Sequence, residues 1–204
     1  GDMGCVINLR GVYGKSQLVT FGKDHDWRTS RKVAGGGILL DQGIHMVDLM
    51  RLFGGEFTEV HSIISNSFWN HDVEDNAYAL MKTDKDVVAM LHSSATQWRH
   101  SFNLEVTLET GMLILSGILS GSKSYGSETL RIIRRMGDDR GDPVEEFREY
   151  DVDPSWADEI REFSTAIINN REITDGNSSD AYKTMKLVYD IYCADASWRR
   201  KWKL

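Results

Sequence analysis

At 204 residues, 41% hydrophobic and 27% charged, the chain has the composition of a soluble globular protein with room for one full core, or one domain with a helical appendage. A net charge of -7 with no extended basic face argues against nucleic acid and anionic membrane as partners and leaves small polar metabolites. Cys5 and Cys193 stand near opposite ends without metal-type spacing, no apolar run is long enough to span a bilayer, and no basic-then-apolar secretion signal opens the chain. A cytoplasmic protein without a disulfide framework is therefore expected, and the glycosylation sequon at Asn177-Ser178-Ser179 reads as chance.

Taken in order, Cys5 to Tyr13 carries Val6, Ile7, Leu9 and Val12 and reads as a strand. The following Gly11-Val12-Tyr13-Gly14-Lys15-Ser16 invites a phosphate-loop assignment, which fails because Leu9 occupies the position of the leading glycine and no helical pattern follows Ser16. Asp24 to Lys32 is polar and reads as a loop leading into the next element. Within it, Trp27 suits either the core or the face of a sugar ring.

Gly35 to Gly55 is the most organised stretch. Leu39, Leu40, Ile44, Val47, Met50 and Phe53 recur at helical steps between glycines, which predicts a helix from about Gly37 to Phe53. Asp41, His45 and Asp48 stand at i, i+4 and i+7, on one stripe of that helix and apart from the apolar one. A carboxylate one turn from an imidazole can take and return a proton near neutral pH, although the same spacing also suits a solvated surface or a local ion pair. Metal binding is the weaker option, since one imidazole and no nearby cysteine make a poor ligand set. Gly35-x-Gly37-x-x-Leu40 stops one residue short of a dinucleotide fingerprint, and no apolar strand leads into it.

From Phe57 the apolar period becomes two. Strands are predicted over 57–69, 76–82, 87–96, 102–109, 112–116, 129–135 and 144–150, with a longer Gly/Ser-rich loop at 117–126. The ionisable cluster His71-Asp72-Val73-Glu74-Asp75-Asn76 falls between the first two of these strands and suits either an acidic turn or a metal or acid-base role. Pro154-Ser155-Trp156 opens a helix with Ile160, Phe163, Ile167 and Ile168 on one face. A last helix is predicted from Ser179 to Trp198, capped by Ser179 or Asp180, with Met185, Val188, Ile191 and Tyr192 along its buried side. The order helix, strands, helices indicates an α+β domain with an open, mostly antiparallel sheet and helices packed on one face.

The run G-G-G-x-L-x-D-x-G-x-H-x-x-D from Gly35 to Asp48 resembles the signature of the glucose-fructose oxidoreductase, inositol dehydrogenase and rhizopine catabolism (Gfo/Idh/MocA) family. The R-G-x-Y-G strand, D-W-R at Asp26 to Arg28, V-E-D-N, E-x-G-x-L at Glu109 to Leu113 and the closing D-A-Y helix extend the likeness over the whole chain. The resemblance implies a dihydrodipicolinate-reductase-like C-terminal domain and a reaction at a hydroxyl or carbonyl of a sugar, inositol or related polyol. It also implies Asp41 and His45 as the catalytic dyad and Arg10, Tyr13, Trp27 and Arg28 as substrate-binding residues, with His71 or Asp75 as further candidates for reaching the substrate. Hydride would pass to or from NAD or NADP held by an N-terminal Rossmann domain that also supplies a lysine. Neither that domain nor its Glu-Lys-Pro triplet is found in these 204 residues, so the chain reads as a C-terminal substrate-binding and oligomerisation domain that by itself binds no nicotinamide cofactor and turns nothing over. The rival expectation is a non-catalytic sugar-binding or self-association module with a relic dyad. Because Val87 to Leu91 and Met112 to Leu115 are apolar at consecutive positions, both faces of the sheet carry apolar side chains, and a homo-oligomer through the uncovered face is expected.

Overall fold

A computed structural model describes residues 2–18, 26–138, 140, 144–174 and 176–204. One eight-stranded sheet forms its centre: β1 (Val6–Gly14), β2 (Phe57–Ser65), β3 (Asn76–Thr83), β4 (Val88–Ser94), β5 (Ser101–Leu108), β6 (Gly111–Ser116), β7 (Glu128–Arg134) and β8 (Glu145–Tyr150). The order across the sheet is β2-β3-β4-β1-β5-β6-β7-β8. Every strand read from the sequence is present, although β2 stops at Ser65 rather than continuing to Trp69. All neighbours pair antiparallel except β1 and β4, which run parallel in the register Leu9 to Ala89 and Gly11 to Leu91.

The helical layer covers one side of β2-β3-β4-β1. A π-helical turn (Leu39–Gly43) leads into α2 (Ile44–Gly54), after the single turn α1 (Arg31–Ala34). The stretch read as a loop before the glycines thus contains α1 and a 3-10 turn at Trp27–Thr29, while Asp24 and His25 lie outside the described residues. Met46, Val47 and Met50 of α2 join Leu9, Ala89, Leu91, Leu104 and Val106 of the sheet in one buried cluster. Full burial of one such side chain contributes about 1.5–3 kcal/mol.

α4 (Ser178–Ala194) packs on β2 and α2 through Leu187, Val188, Ile191 and Tyr192, whereas Met185 is 44% exposed. Its cap is Asn177, whose side chain accepts from Asp180 N, in place of the Ser179 or Asp180 that the sequence suggested. The helix read as continuous to Trp198 breaks at Asp195, whose carboxylate accepts from Ser197 N and Trp198 N to start α5 (Ala196–Trp202) and from Ile64 N to fasten the break to β2. α3 (Ser155–Ile168) forms as predicted, but Trp156, Ile160, Phe163 and Ile167 are exposed and only Ala166 is buried. Helical periodicity identifies an apolar face without saying what covers it.

A candidate active site at the end of the first strand

The first turn of the long helix is fixed from below by Glu74. Its carboxylate accepts from Gly37 N at 2.9 and 2.8 Å, from Leu39 N at 2.9 Å and from the Tyr192 hydroxyl at 2.6 Å. Gly37 permits this approach, since a Cβ there would stand 2.2 Å from the Glu74 carbonyl oxygen, and Gly35 turns the chain into the helix at φ +85°. Burial pushes the Glu74 carboxyl up while these donors pull it down, and burial with the neighbouring carboxylate raises the Tyr192 hydroxyl well above its ordinary value. The π turn at Leu39–Gly43 then widens the helix where Asp41 projects, a distortion frequent at functional sites.

Around Asp41 the end of β1 and the turns before the helix converge. Lys15 Nζ donates to Asp41 Oδ2 at 2.8 Å, and Arg28 Nε lies 3.6 Å from Oδ1. The Arg28 guanidinium stacks 4.7 Å over the Trp27 ring and pairs with Asp26 at 3.6 Å. Trp27, Arg28, Leu18 and Asp41 are among the residues enclosing a cavity of about 220 Å³. Beside it, Tyr13 packs edge-on against Phe102 at 5.3 Å and Tyr125 at 5.7 Å, and Gln42 Nε2 donates to the Tyr125 hydroxyl at 2.9 Å. Burial, with Tyr125 and Asp41 nearby, pushes the Tyr13 hydroxyl up to about 12. His100 lies 3.1 Å from Ser16 Oγ and 2.9 Å from Ser124 Oγ, so it ties the β6–β7 loop to the end of β1. Gln42 Oε1 is buried without a partner among the described residues, which leaves an acceptor free at the site.

Asp41, Tyr13, Trp27 and Arg28 are therefore brought together, while His45 stands on the next flank. It is exposed, makes no hydrogen bond among the described residues and opens with Tyr13 onto a second cavity of about 430 Å³. Arg10 projects from the other face of the sheet and pairs with Glu105 at 3.7 Å, so it does not join the cluster; residues three apart on a strand face opposite ways. Asp48 turns towards α4, where it accepts from Thr184 and lies 3.6 Å from Arg51. His71 stacks on Trp69, and Asp75 is buried as the acceptor for the backbone N–H groups of Ser67, Phe68 and Trp69, which is a turn-building role. The described residues contain no cluster of three or more His, Cys, Asp or Glu side chains suited to a metal.

Sequence reading missed Lys15, Gln42, His100 and Tyr125. Lys15 lay inside the rejected phosphate-loop stretch, and the one usable signal for Tyr125 was an aromatic in an otherwise Gly/Ser-rich loop.

The N-terminus of the long helix is not free to hold a nicotinamide dinucleotide. Its pyrophosphate would occupy a helix N-terminus behind a glycine turn, and here the Glu74 carboxylate already fills that position at Gly37 and Leu39. The parallel pair β1 and β4 is not joined by a simple strand-helix-strand crossover, because the connection also contains the β2-β3 hairpin.

Residues 1–114, more than half of the chain, match the GFO/IDH/MocA C-terminal domain model. Levoglucosan dehydrogenase of Pseudarthrobacter phenanthrenivorans is 31% identical over 65 residues, 32% of this chain and 17% of that protein. The 1,5-anhydro-D-fructose reductase of Ensifer adhaerens is 30% identical over 107 residues, 52% of this chain and 32% of that one. Among solved structures, levoglucosan dehydrogenase in complex with NADH superposes with a TM-score of 0.77 at 16% identity, covering 96% of this chain and 58% of its own. Aldose-aldose oxidoreductase from Caulobacter crescentus complexed with glycerol gives 0.73 at 22% identity, covering 95% and 54%. At these identities the likeness is one of fold, and the chain spans little more than half the length of those structures.

Proposed function

Because the chain belongs to the GFO/IDH/MocA family and carries its C-terminal domain, we propose that it forms the substrate-binding half of an NAD(P)-dependent oxidoreductase acting on a carbinol or carbonyl carbon of a sugar or polyol. The observation that carries this reading is the convergence of Lys15, Arg28, Asp41, Gln42 and Tyr13 one helical turn from His45, which has no hydrogen-bond partner among the described residues. Oxidation of a carbinol to a carbonyl releases a hydride and the hydroxyl proton. The proton is the share of the reaction this chain handles: His45 takes it from the hydroxyl and returns it in the reverse direction. Asp41, oriented by Lys15 and Arg28, accepts from a substrate hydroxyl and fixes the reacting carbon in place. The Trp27 ring, 54% exposed above its cavity, offers an apolar face to the C–H side of a sugar ring. Assay of the intact oxidoreductase against a panel of polyols and aldoses with NAD and NADP tests the reading; turnover of at least one sugar or polyol is expected, and none across the panel contradicts it.

The same reading includes self-association. Ile63, Tyr78, Leu80 and Met90 are each more than 40% exposed on the sheet face without helices, where they border a shallow apolar depression. A second copy of the chain would cover it, sheet against sheet. Sedimentation equilibrium should give a dimer or larger species; a monomer at high concentration contradicts this part.

A further inference from the structure

We infer that the cavity on the His45 flank is a subsite for a second sugar ring, so that the preferred substrate is a disaccharide or longer glycoside rather than a free monosaccharide. The inference rests on the sugar reading of the site given above. Asp41 opens onto the cavity of about 220 Å³ beside Trp27, and His45 onto the separate one of about 430 Å³. One pyranose reaches both the carboxylate and the imidazole, which stand one helical turn apart, and the larger cavity continues beyond His45 over Phe102, Leu115 and Leu130. The second cavity by itself falls within the roughly 300–1,000 Å³ usual for small-molecule sites.

The fold makes this space because the helices stop short of the sheet. α2 and α4 cover β2, β3, β4 and β1, and the sheet continues through β5 to β8. The registers Gly11 to Leu104, Leu104 to Leu115 and Leu115 to Leu130 put these residues on the side of the sheet that faces α2. The pair Glu128 and Tyr150 lies on that side too, two residues along from Leu130 and Arg148. The result is an apolar floor of Phe102, Leu115 and Leu130 beneath a rim bearing Glu128, Tyr150 and His45.

Such a surface matches one kind of occupant. A pyranose presents a C–H face, which suits the floor and the Tyr150 ring, and an edge of hydroxyls, which suits a carboxylate. Glu128 is held ready for this: its Oε2 accepts from Leu119 N at 3.0 Å, and its Oε1 has no partner among the described residues. A purely apolar substituent would instead desolvate Glu128 and the Tyr150 hydroxyl without replacing their hydrogen bonds.

The 204-residue chain is titrated with glucose, maltose, cellobiose and phenyl glucoside by ligand-observed NMR. At least one disaccharide should bind roughly tenfold more tightly than glucose, as one added ring contact of about 1.4 kcal/mol requires. Glu128→Gln, which keeps the shape and the acceptor for Leu119 N, and Tyr150→Ala should each bring the disaccharide-to-glucose ratio towards one, with circular dichroism confirming the fold of both. Equal binding of glucose and disaccharides, an unchanged ratio in both variants, or tighter binding of phenyl glucoside than of either disaccharide would overturn the inference while leaving the sugar site standing. Failure of every sugar to bind would overturn both.

Discussion

Lys15 Nζ lies 2.8 Å from Asp41 Oδ2, an ion pair that joins the end of β1 to the first turn of the long helix. With Arg28 on the other carboxylate oxygen, Asp41 is oriented by cations of its own chain and not by His45, with which it shares no hydrogen bond among the described residues. Lys15 is on this reading a positioning residue. Lys15→Met in the intact oxidoreductase should lower kcat about 10- to 100-fold, the scale of a small misplacement, and Lys15→Arg should restore part of the loss. Equal rates for Lys15→Met and wild type would remove Lys15 from the site.

Tyr13 should titrate late. Burial and its neighbours Tyr125 and Asp41 push its hydroxyl up to about 12 from an ordinary 10.0. Between those values the native chain holds a proton that the unfolded chain has lost, so the contribution of Tyr13 to stability is complete below pH 10.0 and is lost as pH rises towards about 12. Phenolate absorbance followed against pH should show Tyr13→Phe removing one late-titrating group. If the variant removes an ordinary one instead, Tyr13 is more open to water than the packing of Phe102 and Tyr125 implies.

Glu74 should matter to stability more than any exposed carboxylate. Glu74→Ala strips the acceptor from two buried N–H groups and the Tyr192 hydroxyl, a loss of about 3–5 kcal/mol. Tyr192→Phe removes one donor and should cost about 1–2 kcal/mol. Urea unfolding measures both as a shift of midpoint at constant slope. A loss below about 1 kcal/mol for Glu74→Ala would mean that water reaches the helix N-terminus.

Arg51 clamps α2 to α4. Its buried guanidinium pairs with Glu56 at 2.8 Å and Asp180 at 3.0 Å and donates to Thr184. Arg51→Met should cost roughly 2–3 kcal/mol, less than breaking a fully buried pair because both carboxylates are about half exposed. An unchanged urea midpoint for Arg51→Met would show that apolar packing alone holds the two helices together.

The strands were legible because period-two alternation is local, and so was the long helix between its glycines. The parallel pairing of β1 with β4 was not, since strand order depends on contacts far apart in sequence. Asp195 looked like one more residue of a long helix; beside its local cap it fastens the break to β2 through Ile64 N, a partner 131 positions away that no local pattern shows. Asp41 and His45 stood out through their motif, whereas Lys15 and Tyr125 reach the site only because β1 ends beside the helix and the β6–β7 loop folds back over Tyr13. Arg10 was grouped with Tyr13 through the likeness of the R-G-x-Y-G strand to the family, although strand alternation already separates them. The cluster around Glu74 read equally as a solvated acidic turn, and its burial depends on the glycines before the helix.

The acid-base role proposed for His45 is tested most directly by steady-state kinetics of His45→Ala and Asp41→Asn in the intact oxidoreductase. The expected result is a fall in kcat of about 10²- to 10⁴-fold for His45→Ala, with a smaller change in KM, and a fall of the same kind for Asp41→Asn. Near wild-type kcat in both variants, with only KM raised, would contradict proton transfer at His45 and leave the two residues as substrate contacts.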